Sequence, residues 1–367
     1  MAYISQPSLC HDPHDLVYSN LGMVARLFPD VDISKFLRPD YSQAQEDLWV
    51  QVAMLASQHS LSLDFLIKPH KDPNIPTWVT NYQTRGCDSL ALSFPKFNAG
   101  LCSSSTWPKH TTTTTTLTCY GAKFDVIQST LTLDMEGVDN FDFIRILNFL
   151  LSMKEDVDTR LDTLWRTMIW NCADAATKIP GNRVIAPASF QENFVAYMIG
   201  QTAIRWAQCQ SDEDKVTYGT TLNNLYTHGT AAEKDLVRKI IVVYAAHLTT
   251  TREELDTLSA SARTELLYPD RNKASEFDDK FTTHSLHKGL NNLFKTERGF
   301  VGLGSNLIQE GDQIWLLVDG HTPFVLRAAK EDTFTLAGDC YIHGLMFREM
   351  LEGGWGVRER VGPINII

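Results

Sequence analysis

Apolar and polar positions change rhythm along this chain. From Asp15 to Leu27 the apolar residues fall at near-helical spacing, and Pro29 interrupts them. Arg38-Pro39-Asp40-Tyr41-Ser42 then reads as a turn into a second helix, with Ser42 placed as its N-cap. Leu48, Trp49, Val52, Ala53, Leu55 and Ala56 supply its apolar face. Pro69 to Pro76 is a loop from which Ile75-Pro76-Thr77-Trp78-Val79 emerges. Residues 83–110 follow neither period and are rich in Ser, Pro, Gly and Asn, which predicts an irregular loop with extended pieces. The six threonines Thr111–Thr116 are β-branched and predict a strand despite their low complexity. Leu117 to Ile127 alternates around Gly121, as a second strand would.

From Phe141 to about Lys295 the helical period takes over. Ile144, Leu147, Leu150, Leu151 and Met153 make one stripe; Leu161, Leu164, Trp165, Met168 and Ile169 make another. Val237–Leu248 is apolar enough to predict a fully buried helix, and Arg252–Arg263 and Ala274–Phe294 predict two more. Residues 176–188 and 210–231 read as connectors or insertions. In the last fifth the period shortens again. Gln313–Val318, Phe324–Ala328 and Phe334–Leu336 are short β-rich runs between Glu310-Gly311-Asp312, Asp319-Gly320 and Gly338-Asp339. That spacing predicts an antiparallel β-meander or small barrel over Phe294–Met346. The fold class is therefore α+β: a mostly helical body with a few strands and a C-terminal β unit. Three segments, 1–110, 111–295 and 296–367, are expected to form one integrated globular unit.

Composition narrows the function classes. The 367 residues are 43% hydrophobic and 21% charged, enough for a sizeable core. The net charge of −11, with no Lys/Arg block, disfavours a phosphate backbone or an anionic lipid surface as partner. No nucleic acid and no integral membrane segment are expected. The N-terminus lacks a basic region followed by an apolar one, and the seven cysteines are scattered without a C-x-x-C. Both features predict a cytoplasmic chain with reduced thiols.

Familiar chemical motifs are weak. His11-x-x-His14 with Asp12 and Asp15, and His284-x-x-His287, have ligand types but no third ligand at a usable distance. No metal is expected. Asp278-Asp279 with Glu276 lacks the spacing of a magnesium-binding acid motif and reads as a charged helix face. Gly299-Phe300-Val301-Gly302-Leu303-Gly304 has neither nucleotide-loop spacing nor a βαβ setting, so no cofactor is expected. Cys340 and His343 lie three apart, which on a strand points them to opposite faces. Two clusters remain. Trp165, Arg166, Thr167, Trp170 and Asn171 gather aromatic, cationic and hydroxyl groups, with Arg166 and Trp170 at i,i+4. Asp339, Tyr341 and His343 share a face of a terminal strand. Either set can line a pocket, and either can equally be core packing.

Several blocks together resemble fungal heterokaryon-incompatibility proteins. They are Asp12-Pro13-His14-Asp15-Leu16-Val17-Tyr18 with Leu21-Gly22, then Pro39-Asp40-Tyr41-Ser42, then Pro76-Thr77-Trp78-Val79. Trp165-Arg166-Thr167-Met168 resembles a further helical element of that family. At the C-terminal end the matching residues are Thr296, Gly299, Gly302-Leu303-Gly304, Gly311-Asp312, Pro323, Leu326-Arg327, Gly338 and Tyr341 to Met346. Nothing in the chain resembles the family's N-terminal Toll-like domain, and the starting Met leads us to expect a free-standing relative.

The resemblance implies two function classes. One is a non-enzymatic interaction or regulatory module. The other, which the aromatic content of 10% with eight Trp favours and which is the expected function, is a cofactor-independent cyclase, since relatives of this portion resemble norbornene-forming Diels–Alderases of fungal secondary metabolism. Its substrate would be an apolar terpenoid or polyketide intermediate with a polarisable carbonyl. Such catalysis needs a shaped apolar cavity and one or two hydrogen-bond donors. Arg166, Tyr341 and His343 are the expected donors, with Trp165, Thr167, Trp170 and Asp339 shaping the substrate site.

Overall fold

The computed structural model describes residues 10–27, 29, 33–60, 62–66, 70–83, 97–101, 109–133, 143–153, 159–172, 185–208, 211–249, 257, 270–283, 290–349 and 356–367. Two compact units result, one of residues 1–128 with 304–367 and one of residues 129–303. We call them the barrel unit and the helical unit. The class is α+β, with the β structure concentrated toward the C-terminal end.

The barrel unit begins with helices α1 (Asp15–Tyr18), α2 (Leu21–Leu27) and α3 (Gln45–His59). Its strands are β1 (Thr111–Thr112), β2 (Leu117–Thr132, as far as Gln128), β5 (Gln313–Leu317), β6 (Phe324–Ala328), β7 (Thr333–Ile342) and β8 (Gly362–Ile366). Strand β2 pairs antiparallel with β5 through Gly121↔Leu317 to Val126↔Gln313, and with β8 through Leu117↔Ile366 to Gly121↔Gly362. Strand β5 pairs with β6, β6 with β7, and β7 with β8 in parallel. These pairings return to β2, so five strands close into a small barrel. Closure leaves fewer unpaired backbone groups on which another chain could template. Gly121 sits where β2 meets β5 and β8 at once; a Cβ there would lie 2.7 Å from a Leu317 methyl and 2.8 Å from the Leu316 carbonyl oxygen.

The family-like residues hold this unit together. Asp312 is buried and accepts two hydrogen bonds from Arg327, at 2.8 and 2.9 Å, and a third from the Gln309 amide. Gly311 supplies the left-handed φ of +87° that the preceding turn needs. Thr77 fastens two strand ends. Its amide donates to the Ile367 carbonyl at 3.1 Å, and its hydroxyl oxygen accepts from the Leu336 amide at 2.8 Å. Trp78 and Val79 beside it join Leu48, Trp49 and Val52 of α3 in one core with Leu117, Phe324, Leu336 and Ile366 of the strands.

The helical unit contains α4 (Phe143–Leu151), α5 (Arg160–Met168), α6 (Gln191–Gln208), α7 (Asp212–His228), α8 (Ala231–Thr249) and α9 (Arg271–Phe281), followed by β3 (Leu290–Thr296) and the start of β4 (Val301–Ser305). At the start of α8, Thr230 and Glu233 form a reciprocal cap: each backbone amide donates to the other's side chain, at 2.9 and 3.1 Å. The Glu233 carboxylate is fully buried and also receives Arg160 bidentately, at 2.6 and 2.7 Å. One side chain thus starts α8 and locks α5 to it.

Five expectations change. Ser42 is not the cap of α3; it donates to Asp40 Oδ1 in a side-chain turn, and the helix begins three residues later after Ala44. The threonine run makes only the two-residue β1 and then a turn closed by Thr113 and Thr116, since a hairpin needs its turn somewhere. Residues 210–231 are largely helix α7, capped by Ser211 and buried through Tyr218, Thr221, Leu222 and Leu225. Its acidic first turn, favourable at a helix N-terminus, had looked like connector composition. The helix expected over Ala274–Phe294 ends at Phe281, and Leu290–Thr296 is strand β3. Val237–Leu248 is helical but not fully buried: Val237, Ile240 and Val243 are inside, while Ile241, Val242 and Leu248 are exposed. The expected helix Arg252–Arg263 lies outside the described residues except for residue 257, and so do His284, His287 and most of 83–110 and 176–188.

Candidate functional site

The helical unit carries a groove of about 710 Å³ along α6 and α8, ending at the start of α9. Its walls are helix faces. Glu192, Val195, Ala196 and Ile199 come from α6; Asp235, Lys239, Val242, Val243 and Ala246 come from α8. Both sets step by about three or four residues, as one face of a helix must. The floor is aliphatic and the rim is charged.

The rim charges are partly paired. Lys273 reaches Glu192 at 2.7 Å and holds that carboxyl below its ordinary range, while Glu192 raises the lysine. Lys239 reaches Asp235 at 2.8 Å across one turn of α8. Arg238 rests over the Tyr226 ring at 5.6 Å and makes no ion pair among the described residues. Asp270, in a left-handed conformation at the start of α9, caps nothing with its side chain and makes no ion pair among them either. On α8, Val242 (68% exposed) lies in the groove wall, whereas Ile241 (46%) and Leu248 (59%) are exposed on a flank turned away from it.

The residues singled out from the sequence fall in two places. Arg166 lies in α5 with three hydrogen bonds from its guanidinium. It donates to Asp162 Oδ2, Asn171 Oδ1 and the Ala186 carbonyl, each at 2.7 Å, and stacks 4.2 Å from the Trp165 ring. Trp165 is buried near Phe190, and its indole N–H has no hydrogen-bond partner. Thr167 turns its hydroxyl back to the Thr163 carbonyl at 2.8 Å. Trp170 is buried but lies beyond the end of α5; it and Asn171 take left-handed φ values of 56° and 53°. The helical i,i+4 relation expected between Arg166 and Trp170 is therefore absent, and Arg166 meets Asn171 instead.

Asp339, Tyr341 and His343 belong to the barrel unit. The structure brings Tyr341 and His343 together, hydroxyl to Nδ1 at 3.3 Å. Asp339 accepts from the Thr322 hydroxyl at 3.4 Å, and Tyr341 packs edge-on to Phe97. Asp339 and Tyr341 are buried and His343 half-buried. The Cys340 thiol is enclosed, directed at the Pro323 carbonyl, and pushed well up by burial and then by Asp339, which keeps it from being a ready thiolate nucleophile.

A cluster near the N-terminus has more polar geometry than its sequence suggested. His14 Nδ1 lies 2.7 Å from Asp12 Oδ1 and Nε2 lies 3.0 Å from the Gln43 carbonyl. Both partners are acceptors, so the arrangement favours the charged ring, and the Asp12 contact raises its pKa. Tyr41 donates to Asp15 and Tyr18 to the Asp40 carbonyl, which ties Asp12–Tyr18 to Pro39–Gln43. His14 has no nitrogen left for a metal. The described residues hold no group of three or more His, Cys, Asp or Glu placed to share an ion. None of their helices is long and apolar enough to cross a membrane.

The groove was not legible as a site because Val195, Ile199, Val242 and Val243 look like core positions of ordinary helices. The usable signal was the run Ile240-Ile241-Val242-Val243, which puts apolar residues on more than one face of α8.

One helical unit and one small closed barrel are the parts this architecture defines. Within it, residues 219–354 match the family profile of the Het-6 beta-barrel domain. That stretch includes α8, α9 and strands β3 to β7. The similarity supports a heterokaryon-incompatibility-type C-terminal region. No curated protein and no solved structure matches the chain.

Proposed function

We propose that this chain is a recognition and regulatory module of the fungal heterokaryon-incompatibility type, and that the groove of the helical unit is its recognition surface. The observation that carries the reading is Val242, exposed on the aliphatic groove wall that α8 contributes, α8 lying inside the stretch that resembles the Het-6 domain. Uncovered apolar surface of this kind is typical of interaction sites. The engaged state of Arg166 and the burial of Tyr341 agree with structural duties for the residues expected to act as donors.

Cyclisation is the second reading, favoured by the size of the groove, which lies within the range of small-molecule sites. The two separate in one comparison. Wild-type chain and Val242→Glu are expressed in a filamentous fungus and scored for compatibility after hyphal fusion. The purified proteins are also incubated with a polyene aldehyde in the presence of EDTA. The module reading expects a change in compatibility that Val242→Glu abolishes, with cyclisation at the uncatalysed rate. Catalysed cyclisation that falls in Arg166→Ala or His343→Ala, with no effect on compatibility, would overturn it.

A further inference from the structure

We infer that the groove of the helical unit receives one amphipathic α-helix of a partner protein, with its apolar stripe on the aliphatic floor, an acidic flank against Arg238 and a basic flank against Glu192 and Asp270. The inference rests on the groove being a recognition surface and names the form and charge of what it recognises.

Shape argues for a helix. On α8 the lining runs from Ala232 to Ala246, about 21 Å at the helical rise. The channel is open on its outer side, since Val242 in its wall is 68% exposed. A small molecule is held where most of its surface is enclosed, and a long open channel encloses little of one. An extended peptide fares no better. Its backbone needs a sheet edge to pair with, and both walls here are helices whose backbone groups are already paired. Laid on Val195, Ile199, Val242 and Val243, it would bury N–H and C=O groups without partners. A helix brings its own backbone bonds and offers only side chains. Apolar residues at i, i+3 or i+4 and i+7 would seat between α6 and α8.

Charge sets the flanks. Arg238 and Lys239 are neighbours in α8 and project about 100° apart. Lys239 turns toward α6, pairing with Asp235 and helping Lys273 to hold the Glu192 carboxyl low. Arg238 turns toward α7, where the Tyr226 ring lies 5.6 Å away. On the α9 side Lys273 answers two acids, Glu192 first and then Asp270. Away from Arg238 the lining therefore sets Glu192, Asp235 and Asp270 against Lys239 and Lys273, an excess of negative charge. The Arg238 rim is positive and makes no ion pair among the described residues. A helix with acid on one flank and base on the other complements both rims, whereas a uniformly charged one is repelled by one of them. The apolar stripe supplies the affinity. The exposed ion pairs contribute little each and fix the direction of the docked helix, because reversing it exchanges the flanks.

The test uses the full chain and a fluorescein-labelled synthetic peptide of about four helical turns, with a leucine stripe, a glutamate flank and a lysine flank, followed by fluorescence anisotropy. Saturable binding is expected. Val242→Glu should raise the dissociation constant about a hundredfold, because the leucine stripe would have to bury a carboxylate. Ile241→Glu, one residue away on the flank turned from the groove, should leave it within about twofold. Arg238→Glu should weaken binding about tenfold. A second peptide with lysine on both flanks should bind Arg238→Glu more tightly than it binds the wild type. A third peptide with a central proline, which breaks the helix, should not bind. Circular dichroism of each variant checks that it is folded.

Failure of the wild type to bind the first peptide overturns the proposal, as does equal loss in Ile241→Glu and Val242→Glu, binding of the proline peptide, or no preference of the lysine peptide for Arg238→Glu. An anilinonaphthalene dye that the groove binds and Val242→Glu loses, without peptide binding, would make the occupant a small molecule. Self-association lost in the same variant, again without peptide binding, would make it a second copy; both results overturn the helix. If the peptide does not bind but Val242→Glu abolishes the compatibility effect, the helix falls and the recognition surface stands. If the peptide binds as expected and Val242→Glu leaves compatibility unchanged, the proposed module falls and the helix site stands.

Discussion

In the barrel unit, β2, β5, β6, β7 and β8 close on themselves and the family-like residues hold the closure: Asp312 with Arg327, Thr77 with β7 and the chain end. In the helical unit, α8 buries Val237, Ile240 and Val243 yet leaves Val242 in water at a groove and exposes Ile241 and Leu248 on another flank. The barrel unit also exposes apolar residues, Met23 and Leu27 on the seven-residue α2 and Phe36 and Tyr41 after it, but on short elements rather than along a long helix. The difference teaches where to look for function. Residues that carry a sequence resemblance fix a scaffold here, whereas the surface able to recognise a partner is built from ordinary aliphatic residues on long helices.

The comparison breaks most easily at Arg160. Arg160→Ala leaves the Glu233 carboxylate buried with only its cap, and breaking such a pair costs about 3–5 kcal/mol. Hydrogen exchange should then show α8 and α5 losing protection while β5 and β6 keep theirs. Equal loss in both regions would show that the two units do not differ in the way described. Next in size is Gly121→Ala, where the new methyl must displace the Leu316 carbonyl or the Leu317 side chain at a junction of three strands. About 1–3 kcal/mol is expected, with exchange accelerating first in β2, β5 and β8. Thr77→Val keeps the shape but removes the acceptor for the Leu336 amide, for about 1–2 kcal/mol in denaturant unfolding. Val242→Glu should shift monomer stability by less than about 0.5 kcal/mol, because the side chain is exposed. A large loss of stability there would mean that the α8 wall of the groove is covered, and the contrast with the barrel unit would disappear.

The smallest effect concerns pH. His14 has a raised pKa in the folded chain because Asp12, and then the Gln43 carbonyl, hold its charged form. Its contribution to the barrel unit is therefore fully present below the ordinary histidine value of about 6.5 and is lost as pH rises through the raised folded value. The thermal midpoint of the wild type should fall slightly across that window, and His14→Gln should remove the dependence. A midpoint that rises across the same window would contradict the two-acceptor geometry.

Periodicity made most elements readable. The β-rich apolar runs Gln313–Val318 and Phe324–Ala328 and the turns at Gly311 and Asp319-Gly320 appear in the structure as β5, β6 and their connections. The stripe Leu161-Leu164-Trp165-Met168 appears as the buried face of α5. Periodicity failed where local composition mimics another state: α7 opens with three acids, and the segment after Phe281 continues a helical-looking pattern into β3. The candidate site was less legible. Tyr341 and His343 do meet, but with His343 in the turn just past the end of β7 rather than on the strand, and the Arg166–Trp170 relation assumed a helix that stops at Met168.

By itself the sequence determined which residues alternate and which recur every three or four positions, and hence the α+β class and the strand-rich C-terminal region. These are local properties, set by backbone geometry and by the side chain's distance from its near neighbours. Tertiary structure alone decided that β2 would meet both β5 and β8 and close a barrel, that Glu233 would find Arg160 seventy-three residues away, and that one flank of α8 would stay uncovered. Each of those depends on which distant surface arrives beside a given residue. An aliphatic side chain such as Val242 has the same pattern signature whether another helix covers it or water does.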